Sequence, residues 1–359
     1  MLIHWSQRSA ALLISIFVTS GAAKAQEYFD NYAISTQPGI VDMGVQPMAY
    51  PLAFVSSTMQ RDRLLRQDLK KLGVELRVHP FRKGNDMVKL FGNGKLEWAF
   101  LGDMPTVNTL VRTPTVILGL GKRNFSSVVS HNASQIEGLR GKRIAYSPGS
   151  SSHLVLMRGL KSAGMAESTV TLVAMEPSQM PDALTSGAVD AFSAWEPTPS
   201  IAMQRDAANR PIYRGMSTDW VVAAEPFARQ QSTAALALTA AYVRAVVWMR
   251  AANANLERAA SWVLRDGEAF TGQARSLTLA KAMDIARKDL LDVPGAPAVP
   301  AKVDGVPPLT REFAFLQELG RLPDGATLQQ VTQALSYDGL RRVQSTPQQY
   351  RIHQAEYDQ

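Results

Sequence analysis

The stretch Tyr146 to Val155, YSPGSSSHLV, sets the serine triplet Ser150–Ser152 and a histidine where an apolar strand gives way to a helix. Gly149 lets the chain turn. One serine can cap the helix by accepting a free N–H. The others present hydroxyls beside unpaired backbone donors at the positive end of the helix dipole, a place that receives an anion or an oxygen-rich polar group. Ser150, Ser151 and Ser152 therefore carry two readings, cap and ligand donor. His153, in the first turn, either donates to the same ligand or sits satisfied against the neighbouring loop.

Other chemistry-bearing residues fall at similar places. Asp103 follows Gly102 and precedes Met104-Pro105, so it is expected to cap a helix and can also face a cleft. Gln46-Pro47 follows the first strand, and Tyr50 lies one turn further on. Trp195, directly after a strand, is placed to wall a pocket, and Glu196 beside it either orients a cationic group or is solvated. Arg82-Lys83-Gly84 reads mainly as exposed turn charge.

The elements that must position these residues alternate. Strands are expected at Ile40–Val45, Val74–Val78, Trp98–Leu101 and Val116–Leu120, with helices between them. A second cycle places strands at Ser127–Ser130, Arg143–Tyr146, Val170–Ala174 and Val189–Phe192. Its helix over Ser152–Ala163 buries Leu156, Leu160 and Ala163 on one face. Ser178 is expected to cap a further helix ending at Gly187. From about Phe227 the chain is mostly helical, apart from the proline-rich loop Asp292–Pro308. Such β-α-β alternation implies α/β architecture with open, largely parallel sheets and helices on both faces. Ligands bind there outside the carboxyl ends of the strands.

Composition sets the compartment. Arg8, the apolar run Ala10–Val18 and Ala23-Lys24-Ala25 form an expected signal peptide over residues 1–25, cleaved after about Ala25. Ala234–Met249 is apolar but interrupted by Arg244, and reads as a buried helix. The chain of 359 residues contains no cysteine, which excludes disulfides, thiolate nucleophiles, cysteine-ligated zinc and a lipid-anchored N-terminal cysteine. A periplasmic protein free in solution is expected. Removing residues 1–25 takes away Arg8 and Lys24 and no acid, so the formal charge falls from +7 to +5. The basic residues are spread out, and nucleic acid is not indicated.

The segment Leu139–Pro197 carries LRGKRIAYSPGSSSH and, later, ALTSGAVDAFSAWEP. It resembles the periplasmic solute-binding proteins of the sulfonate, taurine and nitrate importers, with their "GK…GS…h" and "GavDA…WeP" segments. Leu96–Pro105 (LEWAFLGDMP) resembles that family's "G.iD.a..GdaP" segment, although Leu96-Glu97-Trp98 stands where the family usually has aspartate. Val41–Gln46 resembles its first strand, and Tyr337-Asp338 its "yD" element. The resemblance implies a two-lobed type II periplasmic binding fold, with the ligand cleft between the lobes. Lobe I would cover 27–125 plus 222–359, and lobe II 126–221, with crossings near 125–130 and 220–224. Ligand positions would fall at Gln46, Tyr50, Asp103, Ser150, Ser151, Ser152, His153, Trp195 and Glu196.

The implied function is capture of a small anionic or zwitterionic solute, organosulfonate or taurine-like before nitrate-like, by a monomer. The closed form would deliver it to an inner-membrane ABC permease with a cytoplasmic ATPase. Carboxylates at Asp103 and Glu196, if both faced the cleft, would favour a zwitterion over a simple anion. No metal, cofactor or catalytic residue is expected. Two other classes remain: a ligand sensor for a membrane receptor, and a cysteine-independent enzyme on the same fold, in which His153 and Asp103 would do acid–base work.

Overall fold

The computed structural model describes residues 34, 39–292, 297–303 and 305–358. The chain divides into two units, Met1–Ile34 and Ser35–Gln359, and every described residue except Ile34 belongs to the second. The expected leader and its cleavage site lie outside the described residues.

Eight strands form one continuous sheet in the order β2-β1-β3-β8-β4-β7-β5-β6. At one end lie β1 (Ile40–Val45), β2 (Glu75–Pro80) and β3 (Trp98–Gly102), with β1 parallel to both neighbours. At the other end lie β5 (Arg143–Tyr146), β6 (Thr171–Ala174) and β7 (Ala191–Ala194), again parallel about β5. Two long strands join the ends. These are β4 (Thr115–Ser130) and β8 (Arg210–Ala224), antiparallel to each other. The outer part of β8 pairs with β3 through Asp219–Ala223, and the far part of β4 pairs with β7 through Ser127–Ser130. The expected strands Val116–Leu120 and Ser127–Ser130 are thus one strand. The two expected sheets are one sheet, because β4 and β8 belong to both ends.

Separate cores hold the two ends. Around β1 and β3 the core is built with α1 (Leu52–Gln60), α2 (Arg63–Lys71), α9 (Ser232–Ala251) and α10 (Asn253–Thr271). At the other end β5 is buried on both faces. Ala145 packs with α6 (Met180–Thr185) and α7 (Thr198–Arg205), and Ile144 packs with α5 (Ser151–Ser162). A strand buried on both faces reads as consecutive apolar residues rather than alternating ones, as Ile144-Ala145 and Ala191-Phe192 do. The remaining helices are α3 (Gly84–Gly92), α4 (Asp103–Leu110), α8 (Glu225–Gln230), α11 (Leu279–Ala286), α12 (Thr310–Glu318), α13 (Leu328–Gln333) and α14 (Asp338–Ser345).

The helix expected at Ala234–Met249 is α9, and most of it is buried in the core. Its Arg244 pairs at 2.7 Å with Asp62, and both side chains are inaccessible to solvent. Asp62 also accepts the Leu65 N–H and so caps α2. The charge that interrupts the apolar run Ala234–Met249 therefore has a dedicated partner. The helix expected to be capped by Ser178 begins instead at Met180, after a 3₁₀ turn over Pro177–Gln179, with no side-chain cap. Trp98 is wholly buried in the first core. Part of the proline-rich stretch packs on β4, where Leu120 N–H donates to Ala298 O at 2.8 Å.

Candidate functional site

The carboxyl ends of β1, β2, β3, β5 and β7 converge on a cavity between the two cores, floored by β4 and β8. Its volume, counted as the space open to the centre of a water molecule, is about 40 Å³. Since one water needs roughly 10–15 Å³ by that measure, the interior fits only a few heavy atoms. A small ligand or a small head group is the size indicated.

The opening loop contributes Ser147, Ser150 and Ser151 to the lining. Gly149 adopts φ +71°, and Ser150 follows as the N-cap of α5, accepting the His153 N–H. The Ser150 hydroxyl donates to Ser147 O at 2.7 Å. Ser151 lies beside it on the cavity wall and donates to Asp103 Oδ1 at 2.5 Å. Ser152 is turned inward, fully buried, with its hydroxyl 2.9 Å from that of Ser150. His153 is also turned inward, which corrects its expected place at the ligand. Its Nδ1 accepts the Gly149 N–H, and its ring is packed between Tyr146 and Phe315. Burial and the nearby Arg321 push its pKa down to about 4, so the ring is neutral. Successive residues on a helix point about 100° apart, so one face of its first turn cannot present four neighbours.

Gln46 and Trp195 line the cavity, and the Gln46 amide is anchored by donating to Phe100 O at 3.2 Å. Tyr50 does not line it. It is buried edge-on against Phe54, and its N–H donates to Glu196 O. Glu196 is likewise outside the lining. Its Oε2 accepts the Ser200 N–H at the start of α7, and burial raises its pKa. Asp103 stands one layer behind Ser151. Gly102 is the N-cap of α4 and Asp103 is its first residue. Its Oδ1 accepts the Met104 N–H and the Ser151 hydroxyl, and its Oδ2 accepts the Thr218 N–H. Burial first, then the Glu312 and Asp219 carboxylates, push its pKa up to about 7. The expected pair of cleft carboxylates, Asp103 and Glu196, is therefore not in the cleft.

The charged groups that do line the cavity are Lys83, Lys122 and Asp219. Lys83 pairs with Glu176 at 2.5 Å, across from α3 to the segment after β6. Lys122 on β4 stands 3.5 Å from Asp219, its cross-strand partner on β8. Ser126 and Ser217 line the same floor. Sequence reasoning missed this floor because Gly-Lys-Arg-Asn at 121–124 looks like a turn. The usable signal was the period-2 alternation Lys122, Asn124, Ser126 within a longer strand. Among the described residues, no three of His, Cys, Asp or Glu converge to hold a metal ion.

Residues 66–264, more than half of the chain, match the profile of the NMT1-like family. The chain belongs to that family. A Bacillus subtilis protein named for aliphatic-sulfonate binding is 24% identical to this NMT1-like protein over 192 residues, 50% of this chain and 58% of that relative. The shared region thus spans little more than half of the relative's length. The alkanesulfonate-binding protein SsuA from Xanthomonas axonopodis pv. citri, solved with MOPS bound, has a TM-score of 0.64 at 17% identity, over 84% of this chain and 100% of that one. The periplasmic nitrate-binding protein NrtA from Synechocystis PCC 6803 gives 0.61 at 13%, over 87% and 90%. The fold is that of the periplasmic binding proteins.

Proposed function

We propose that this NMT1-like protein is the extracytoplasmic solute-binding component of an ABC importer, capturing a small anionic or zwitterionic solute with an organosulfonate-like head group. One observation carries the reading. A cavity at the strand exits combines two ammonium groups, Lys83 and Lys122, with five serine hydroxyls and the N-terminus of α5. Such groups suit the oxygens of a compact anion, and the buried ammonium of Lys122 would be costly to leave unmatched once water is expelled. The names of the relatives point to the same ligand class.

In this reading the two cores are lobes that swing about β4 and β8, and the boundaries pass through those strands. Four side-chain contacts would latch the closed form: Ser151 to Asp103, Lys83 to Glu176, Asn85 to the Pro148 and Gly149 carbonyls, and Arg158 to Glu312. Solute bound to donors from both lobes would stabilise that form over the open one. Periplasmic location, a monomeric state and delivery to a permease with its ATPase follow from the same reading. Turnover is not part of it. His153 is enclosed and neutral, and the chain has no thiol.

The test is thermal unfolding of the purified protein with taurine, alkanesulfonates, sulfate, nitrate and bicarbonate. A ligand at 100 times its dissociation constant stabilises by about 2.7 kcal/mol. A shift with one sulfonate or zwitterion, recovered unchanged, supports the reading. A folded protein that responds to none of them refutes it.

A further inference from the structure

The strand β4 changes register at the floor of the cavity. Leu120 faces Trp220, yet Lys122 faces Asp219, so Gly121 is an extra residue on the β4 side. Such a bulge re-aims the side chain that follows it. Glycine is what the close approach requires, because a Cβ at Gly121 would lie 3.2 Å from Asp219 O and 3.2 Å from a Leu52 methyl. The outcome is an ammonium that lines the cavity while being only 2% exposed.

An ammonium carries three donors. The contact from Lys122 to Asp219 Oδ2, at 3.5 Å, is longer than an ordinary N–H···O hydrogen bond. Lys83, by contrast, is bonded to Glu176 at 2.5 Å and bridges the two sides of the cavity. Further along the same floor, the Ser126 hydroxyl donates to that of Ser217 at 3.4 Å, and Ser217 donates to Asn124 Oδ1. A buried cation with donor capacity on a cavity wall is complementary to a compact oxyanion.

We propose that Lys122, presented by the Gly121 bulge, receives the anionic group of the solute and fixes its charge class as a monoanionic oxyanion. The inference rests on the solute-capture reading and names the residue that determines its specificity. Asp219 sets the limit on charge. A dianion would meet this carboxylate as well as Lys122, whereas a single negative group can share the ammonium with it.

The probes are ethanesulfonate, taurine, nitrate and sulfate, titrated calorimetrically into wild type, Lys122→Met, Asp219→Asn and the double variant. Lys122→Met is expected to weaken the best-bound monoanion about 10-fold or more. Asp219→Asn is expected to tighten it and to bring sulfate closer to it. Lys122→Met leaves Asp219 buried without its cation, so the double variant, which removes both charges, separates misfolding from lost affinity. Circular dichroism should report a native fold with affinity still lost. A folded double variant that binds the monoanion as wild type does overturns the role of Lys122 and leaves the solute-capture reading intact. A wild type that binds none of the four probes overturns both.

Discussion

Asp103 makes the protein less stable as pH rises, and the effect can be isolated. Its side chain is 1% exposed and its pKa is pushed from 3.8 up to about 7, mainly by burial. Between those values the folded protein holds a proton that the unfolded chain has released. Stability from this group is full below about pH 4 and is lost as pH rises through about 7. A shift of about three units caps the effect at roughly 4 kcal/mol, at about 1.36 kcal/mol per unit. Relaxation around the ionised group lowers this, and about 2 kcal/mol is the expected change. Glu97, raised to about 7, and Asp86, raised to about 6, act in the same direction. His153, lowered to about 4, acts oppositely, its stability being present above about 6.5 and lost on acidification. A difference measurement removes all three. Asp103→Asn keeps an oxygen for the Met104 and Ser151 donors but turns an NH₂ toward the Thr218 N–H, a pH-independent cost of about 1–2 kcal/mol. Urea unfolding of both proteins from about pH 4 to about pH 8 should show wild type ahead at acid pH and its lead shrinking by about 2 kcal/mol. A stability difference that stays flat across that range refutes the reasoning.

Three further outcomes are expected. Asp62→Ala strands the buried Arg244 guanidinium and removes the cap of α2, so the denaturant midpoint should fall by the equivalent of about 3–5 kcal/mol, with the cleft ligand's affinity unchanged in the folded fraction. Gly215→Ala drives a Cβ to 2.8 and 2.9 Å from the two methyls of Val155, a stiff β-branched side chain on α5, and should cost about 1–3 kcal/mol in urea unfolding. Ser150→Ala should lower stability by about 1 kcal/mol through loss of the α5 cap, while Ser151→Ala should act chiefly on ligand affinity by titration calorimetry.

Much of the fold was legible because apolar runs and their punctuation are local. Ile40–Val45 and Arg143–Tyr146 occupy the bounds expected of them, each a short run between turn residues. The middle of β4 was not legible. Lys122-Arg123-Asn124 has the composition of a turn, and only pairing with β8 over its whole length makes it a strand. Its polar alternation faces a cleft rather than bulk solvent, and periodicity alone does not separate the two. The places of the site were legible too, since sheet topology puts ligands at strand exits. Side-chain directions there were not. Tyr50, Ser152, His153 and Glu196 all sit at those exits, yet each is held against its own core by a bond or ring contact.

The three serines therefore do three different things. Ser150 caps, Ser151 faces the cavity and reaches Asp103, and Ser152 ties the helix start inward, its carbonyl accepting the Ser193 hydroxyl. A helix start alone would offer an anion only partial charge and a few hydroxyls, open to water. Here it faces a full, buried ammonium on strands that belong to both cores. In the proposed reading, a solute held by Ser151 and Lys122 together would be held by elements whose separation changes as the lobes move. Affinity then depends on closure, and a ligand with no oxygen for one of the two sites would bind without stabilising the closed form. That coupling distinguishes a receptor that signals occupancy by its shape from a surface that merely collects anions.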